Sequence, residues 1–404
     1  MSFFILITIL FSFLFICYLE KKQHWKFLQK IPIRIHINGT RGKSSVARLI
    51  AAGIRNSGYN VICKTTGSQP RVMFNETSEI PINRGCIPNI IEQAKIIEFA
   101  TKQQADVLVI ECMALKPELQ SYSELELIKS THGVITNCGP DHLDVMGPTE
   151  RDVALALAAT VPVNSRLYTN EKTHHAIISY AAKDRNTELI NIIDKSTINA
   201  EDMSRFSYIE HKENVALALT LCIDLGIPRD IALEGMIRSQ PDFGAMKLTQ
   251  IHWRGSQLNL LNAFAANDPA SSKLCWNQSV NYSQQQAQRI MLVNCRADRH
   301  ERSTQLALMC ASLTDIDKIV VIGNGRNSFI QPAKIAGINE QKLIVPKIQN
   351  PELIANSIAE LTGNSALIVG IGNIKDIAAD LISFFEENSF NNIAEHTALE
   401  VNYG

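Results

Sequence analysis

The sequence predicts an α/β protein, with two parallel-sheet domains behind an N-terminal membrane-spanning helix. Three features predict it: an uncharged run over Met1–Leu19, a strand–glycine turn–helix at 33–56, and strand–helix alternation that resumes in the last third of the chain. A chain of 404 residues, 46% hydrophobic, is long enough for two real cores. The predicted boundaries are 1–30 for anchor and juxtamembrane segment, 31–245 for a central domain and 246–404 for a smaller C-terminal domain. The stretch "QPDFGAMK" at 240–247 marks the junction.

The anchor comes first. As a helix, "MSFFILITILFSFLFICYL" spans about 28 Å, close to a hydrocarbon core of ~30 Å. Lys21, Lys22, Lys26 and Lys30 follow it, with Tyr18 and Trp25 where interfacial aromatics sit. The positive-inside rule therefore predicts a single-pass inner-membrane protein with everything after residue 30 in the cytoplasm. A cleaved signal peptide has the opposite order, charge before the apolar run and small residues after it.

The central domain opens with alternating Ile33, Ile35 and Ile37, a strand. A helix over 44–56 follows, with Val46, Leu49, Ile50 and Ile54 on one face and Gly58 as a stop. A polar stretch from Thr65 to Asn89 leads to a helix over 90–103 and strands at 106–111 and 133–137. Another helix is expected near 150–160, and one over 210–228 with a proline stop. In the last third, strands are predicted near 289–294, 318–322, 341–345 and 366–370, and helices near 301–312, 351–361 and 374–386.

A net charge of −1 supplies no field to recruit nucleic acid, which is not an expected partner. The nine cysteines form no C-x-x-C pair, the pattern of reduced thiols rather than a zinc site or disulfide framework.

The chemistry begins at "IHINGTRGKSS", residues 35–45. The long phosphate loop, G-x-x-x-x-G-K-[ST], would need its first glycine at Ile37; the glycine is instead Gly39. Between a strand and a helix, the amides around Thr40–Ser44 suit a polyphosphate. Gly42 permits close backbone approach, Lys43 can neutralise β/γ-phosphates, and the Ser44 hydroxyl can ligate Mg²⁺. Glu111 ends an apolar strand, a poor place for a carboxylate unless it serves a hard cation. His142, in "PDHLD", is flanked by Asp141 and Asp144, which could orient its ring.

A G-T-x-G-K-[ST] loop, a Glu at a following strand end and "N-x-x-x-D-H-L-D-x-x-G" in that order resemble the Mur ligase superfamily. The segments "NGTRGKSS", "TNCGPDHLDVMGPTERDVALALAATVP", "NAFAANDPASS", "NCRADRHER" and "VGIGN" resemble, more closely, the ligase subunit of bacterial poly-γ-glutamate synthase, the CapB/PgsB type of capsule synthetase. The resemblance implies a Mur-ligase-like central P-loop ATPase domain and a Rossmann-like C-terminal domain. It implies that Gly39, Thr40, Arg41, Gly42, Lys43, Ser44 and Ser45 hold ATP, and that Ser44, Glu111 and His142 surround Mg²⁺. Asn214 matches the family asparagine near the adenine. Lys247 falls where the family has a nucleotide-contacting arginine, and Asn262 near a family aspartate. The family's carbamate-forming lysine after D-H-L-D has no counterpart in "DVALALAATVP". The absence of a nucleotide-sugar domain ahead of the loop argues against a UDP-linked substrate.

The implied reaction activates a glutamate carboxylate by ATP as an acyl phosphate, which a second amine attacks, so that glutamate is polymerised into poly-γ-glutamate. Lys43, Glu111 and His142 are the expected catalytic residues. A polyanionic product needs cations, and Arg71, Arg84, Arg296 and Arg299 are candidates because their planar forks fit carboxylates; each could equally form an intramolecular pair. The expected partners are glutamate and the growing polymer, the membrane, and small membrane subunits of a capsule synthesis and export complex. A membrane-tethered P-loop ATPase that energises export remains the alternative reading of the loop.

Overall fold

A computed structural model describes residues 2–67, 70–74, 78–82, 84, 88–192, 197–241, 246–266, 268–282 and 287–389. The chain divides into two compact units, Met1–Asp242 and Phe243–Gly404.

The first unit is built on an eight-stranded sheet of order β4-β3-β2-β5-β1-β6-β7-β8. The strands are β1 (Ile33–Asn38), β2 (Val61–Thr65), β3 (Arg71–Met73), β4 (Glu79–Pro81), β5 (Val107–Glu111), β6 (His132–Ile135), β7 (Arg166–Thr169) and β8 (Glu188–Asn191). All pair in parallel except β3 and β4, which add an antiparallel edge. The sequence explains the parallel centre: "VLVIE" is buried at every position, as a strand covered on both faces must be. The chain leaves β1 for β2 on one side and later crosses from β5 to β6 on the other. Strand order therefore reverses around β1, where such sheets bind ligands at the carboxyl end.

Helix α2 (Lys43–Arg55) covers this centre with Val46, Leu49, Ile50 and Ile54 buried, as the periodicity predicts. It packs closely on the helix Arg229–Ile237. A Cβ on Gly53 would lie 2.9 Å from Met236 Cε, and one on Gly235 would lie 2.5 Å from Ala52 O.

Helix α1 (Ser2–Gln29) is unbroken, and its apolar side chains from Phe3 to Leu19 are exposed apart from the half-buried Ile7. By length and composition it can cross a membrane. Its last turns dock on the sheet unit instead of trailing as a linker. Leu28 is buried, His24 Nε2 lies 2.7 Å from Leu127 O, and Lys21 pairs with Glu126 at 3.1 Å. Arg34, at the start of β1, donates to Leu28 O in the last turn of α1, to Ile31 O just beyond it, and to Ile128 O and Lys129 O. The strand that carries the loop is thus pinned to the end of the apolar helix.

The second unit has a six-stranded sheet of order β13-β12-β11-β14-β10-β9: β9 (Lys247–Trp253), β10 (Ser256–Asn262), β11 (Gln288–Asn294), β12 (Lys318–Ile322), β13 (Leu343–Ile344) and β14 (Ser365–Ile371). Only β9 is antiparallel, joined to β10 by a tight turn in which Arg254 and Gly255 both have positive φ. Leu260, Phe264, Ile290, Leu292, Val320 and Ile368 form the centre of its core.

Several expectations shift. The strand expected over 341–345 is two residues long, and the helix expected over 210–228 is Lys212–Asp224, followed after Pro228 by a second helix. The strand expected over 133–137 ends at Ile135, which releases Thr136 and Asn137 into a loop. The polar stretch 65–89 contains β3 and β4, and the hairpin β9–β10 was not foreseen.

Candidate active site

Asn38 ends β1, and the chain turns through Gly39 (φ 131°) and Gly42 (φ 79°) into α2. Both positions require glycine, by backbone and by space. A Cβ on Gly39 would lie 2.0 Å from Thr136 Oγ1, and one on Gly42 would lie 2.8 Å from Asn214 Oδ1. The loop is walled by the segment after β6 and by the helix Lys212–Asp224.

The β6 wall is a clamp. Asn137 Oδ1 accepts from Thr40 Oγ1 at 2.5 Å and from the Arg41 amide at 3.1 Å. Asn137 O accepts from the Thr40 amide at 3.0 Å. Arg41 O accepts from Asn137 Nδ2 at 3.1 Å and Thr136 Oγ1 at 2.6 Å. This corrects one expectation: the Thr40 and Arg41 amides serve the protein rather than pointing outward. The amides that open α2, at Lys43, Ser44 and Ser45, lack intrahelical acceptors by the geometry of any helix start and form the anion-seeking end of the turn. The Lys43 ammonium folds over the loop, donating to Gly39 O at 2.6 Å and Thr40 O at 3.3 Å.

Glu111 reaches the same place from β5, whose register sets it opposite Ile37. It is buried, and its Oε2 accepts from Ser44 Oγ at 2.8 Å and the Thr66 amide at 2.7 Å, while Oε1 accepts from Thr66 Oγ1 at 2.5 Å. A hydroxyl and a carboxylate at the foot of a glycine-lined loop are hard oxygen donors, and they fit a small divalent cation beside a phosphate. The arrangement therefore suits a nucleotide triphosphate with its metal.

On the other wall, Asn214 Nδ2 donates to Glu210 Oε1 at 2.9 Å, as does the His211 amide at 2.8 Å. Burial pushes the Glu210 carboxyl up, against the pull of those bonds and of Ser45.

His142 lies farther along the clamp segment. Gly139 is adjacent to Thr40, 3.5 Å from a Cβ there to Thr40 Oγ1. Three residues later, His142 adopts a left-handed conformation (φ 45°, ψ 48°) that caps the helix Leu143–Met146. Its side chain is 46% exposed, with Nε2 3.9 Å from Asp141 Oδ1. It does not share the Ser44–Glu111 hydrogen bonds. Among the described residues, no group of three or more His, Cys, Asp or Glu side chains is arranged to hold a metal.

The remaining expected contacts are engaged within the protein. Arg71 lies 3.4 Å from Glu79, and Arg84 forms a two-pronged pair with Glu92 at 2.7 and 2.9 Å. Arg296 grips Asp298 at 2.9 and 2.8 Å, and Arg299 lies 4.0 Å from the same carboxylate. Lys247 pairs with Glu386 at 2.9 Å. Asn262, opposite Lys247 in the β9–β10 register, is buried. Thr66 and Glu210 carry no motif of their own, whereas Asn137 opens the N-x-x-x-D-H-L-D-x-x-G stretch, whose pattern alone does not single it out as the residue that clamps the loop.

Comparison with known proteins gives two family matches. Residues 37–224 match the Mur ligase middle domain, and 248–388 the poly-gamma-glutamate synthase CapB C-terminal domain. The chain is 34% identical to PGA synthase CapB of Bacillus subtilis (strain 168) over 371 residues, 91% of this chain and 94% of that protein. It is also 34% identical to the capsule biosynthesis protein CapB of Bacillus anthracis over 370 residues, 91% of this chain and 79% of that one. Among solved structures, Mycobacterium tuberculosis folylpolyglutamate synthase complexed with ADP superposes with a TM-score of 0.68 at 14% identity, covering 92% of this chain and 94% of that one. A bifunctional folylpolyglutamate synthase/dihydrofolate synthase from Yersinia pestis, complexed with AMPPNP and a Mn ion, gives 0.66 at 12% identity, covering 90% and 92%.

Proposed function

The chain belongs to the CapB family of poly-γ-glutamate synthases, on the Mur ligase fold, and from that premise we propose how its residues join glutamate units into poly-γ-glutamate. It is an ATP-dependent carboxylate–amine ligase; family membership selects this over the tethered export ATPase. The observation that carries the residue assignment is the convergence of Lys43, Ser44 and Glu111 at one glycine turn.

Bound ATP with its divalent ion, taken here as Mg²⁺, supplies a transferable phosphoryl group and screens its charge. Lys43 and the α2 amides hold the phosphates and offset the repulsion between two approaching anions. Ser44 and Glu111 hold the ion, with His142 a further candidate from the clamp segment. Asn214 closes the loop beside the nucleotide. The substrate carboxylate oxygen accepts the γ-phosphoryl group as ADP leaves. The amine of another glutamate then attacks the acyl carbon, phosphate departs, and the amine gives up a proton. Lys247 and the arginines at 71, 84, 296 and 299 are assigned to nucleotide and polyanion contact, which requires each to exchange its present carboxylate partner for one on the ligand.

The apolar face of α1 supports membrane anchoring with the ligase on the cytoplasmic side, where lysines follow the span and ATP is available. There the polymer would pass to small membrane subunits of an export complex. The experiment is to incubate membranes with ATP, Mg²⁺ and labelled glutamate. High-molecular-weight product formed together with ADP supports the proposal; ATP turnover indifferent to glutamate, without polymer, opposes it.

A further inference from the structure

Helix α1 meets the sheet unit at its far end only. There Thr101 Oγ1, in α3 (Ile91–Lys102), donates to Phe27 O at 3.2 Å, and Leu28 packs in one cluster with Ile97 and Ala100. Ten residues back along each helix, about 15 Å nearer the apolar span, Cys17 and Ile91 line one groove. The two helices therefore run in the same direction and leave a gap between them toward the membrane. Tyr122 and Glu126 complete its wall, and its volume is about 940 Å³, within the ~300–1,000 Å³ of small-molecule sites.

The sequence sets the level of this groove in the bilayer. The uncharged run ends at Leu19, so Cys17 belongs to the hydrocarbon edge, and Glu20 and Lys21, the first charged residues, to the headgroup layer. Ile91 and Tyr122, 57% and 51% exposed, bring apolar surface to the same groove. Some of the lining charges are engaged internally: Lys21 with Glu126 at 3.1 Å, and Glu98 with Lys102 at 2.8 Å. Glu20 and Lys95 also line the groove, and among the described residues neither forms an ion pair or a side-chain hydrogen bond. One unengaged carboxylate and one unengaged ammonium, beside an apolar opening, fit a molecule with a hydrocarbon tail and a headgroup of both signs. An apolar helix of another protein would leave both charges unmatched.

We propose that this groove is a phospholipid site, selective for a headgroup that carries a primary ammonium, such as phosphatidylethanolamine. Lys95 takes the phosphate, Glu20 takes the ammonium, and an acyl chain lies along Cys17 and Ile91. This rests on the reading of α1 as a membrane span.

The test is a lipid titration of the full chain in detergent, read by native mass spectrometry. Wild type is expected to retain one phosphatidylethanolamine, held more tightly than phosphatidylcholine, whose ammonium has no N–H, or phosphatidylglycerol, which has no ammonium. Lys95→Gln should weaken all three roughly two- to five-fold. Glu20→Gln should erase the preference for phosphatidylethanolamine and spare phosphatidylglycerol. Ala94→Phe, which fills the groove from α3, should abolish retention. Thermal unfolding of each variant checks the fold. Lipid retention that is indifferent to all three substitutions in folded protein would overturn the site. Unchanged retention by Ala94→Phe, with polymer lost in cells, would assign the groove to a protein helix and overturn it too. Washing membranes with alkaline carbonate separates the two readings. Release of the chain sinks the membrane span, whereas a chain that stays in the membrane with indifferent variants sinks this inference alone.

Discussion

Ser44 Oγ donates to Glu111 Oε2 at 2.8 Å, joining the first turn of the loop helix to the carboxyl end of a neighbouring strand. The two residues are 67 positions apart in sequence, and the parallel register of β1 and β5 brings them together. Glu111→Gln keeps the shape but removes the charge. It should lower ligation by about 10²–10³-fold and raise the Mg²⁺ requirement. His142→Ala should raise that requirement by less, because the ring stands outside the Ser44–Glu111 bonds. Metal titrations of both variants, followed by ADP release, check the order.

Asn137 binds both sides of the loop, so Asn137→Ala should loosen it without touching the phosphate ligands. The expected result is a raised KM for ATP, with a loss of roughly 1–3 kcal/mol in kcat/KM and a smaller change in kcat. Steady-state kinetics at saturating glutamate would show it. A pure kcat effect would assign Asn137 a different role.

Gly42→Ala tests the turn itself. The left-handed backbone costs an L-residue about 1–2 kcal/mol, and the new methyl meets Asn214. ADP affinity should fall sharply, while Gly58→Ala, also at positive φ but in open space, should affect stability alone. Calorimetry on the two variants distinguishes site strain from general strain.

His36 on β1 is buried with Nδ1 2.7 Å from Glu124 Oε2. Burial pulls the imidazole down, but Cys112 and Glu124 outweigh it and raise it to about 9. A histidine raised above its unfolded value of ~6.5 adds stability that is fully present below ~6.5 and is lost as pH climbs through about 9. Wild type should therefore lose unfolding temperature between pH ~6 and ~10 by more than Glu124→Gln does. Thermal melts across that range measure the difference.

Much of the fold could be read from the sequence where one physical signal dominated. The alternating isoleucines of β1 and the amphipathic period of α2 predicted those elements to within a residue or two. Short edge strands such as β3 and β4 bury too little apolar surface to leave a period, so they were lost in a polar stretch. Lys43, Ser44 and Glu111 were legible because a glycine loop and a carboxylate at an apolar strand end are both out of place without a ligand. The clamping role of Asn137, which opens the N-x-x-x-D-H-L-D-x-x-G motif, and the role of Thr66 were not, since each acts through contacts that exist only once distant segments meet. The charge partners of Arg84 and Arg296 lie only eight and two residues away, so nearness in sequence did not by itself separate an internal pair from a ligand contact.

The most direct test follows oxygen. Glutamate labelled with ¹⁸O in its carboxylates is supplied with ATP and Mg²⁺, and the released phosphate is analysed by mass spectrometry, for wild type and for Lys43→Ala. The account predicts one ¹⁸O in phosphate for each amide bond made by wild type, and neither label transfer nor polymer from Lys43→Ala. Polymer formed while phosphate draws its oxygen from water, or normal polymer from Lys43→Ala, would contradict it.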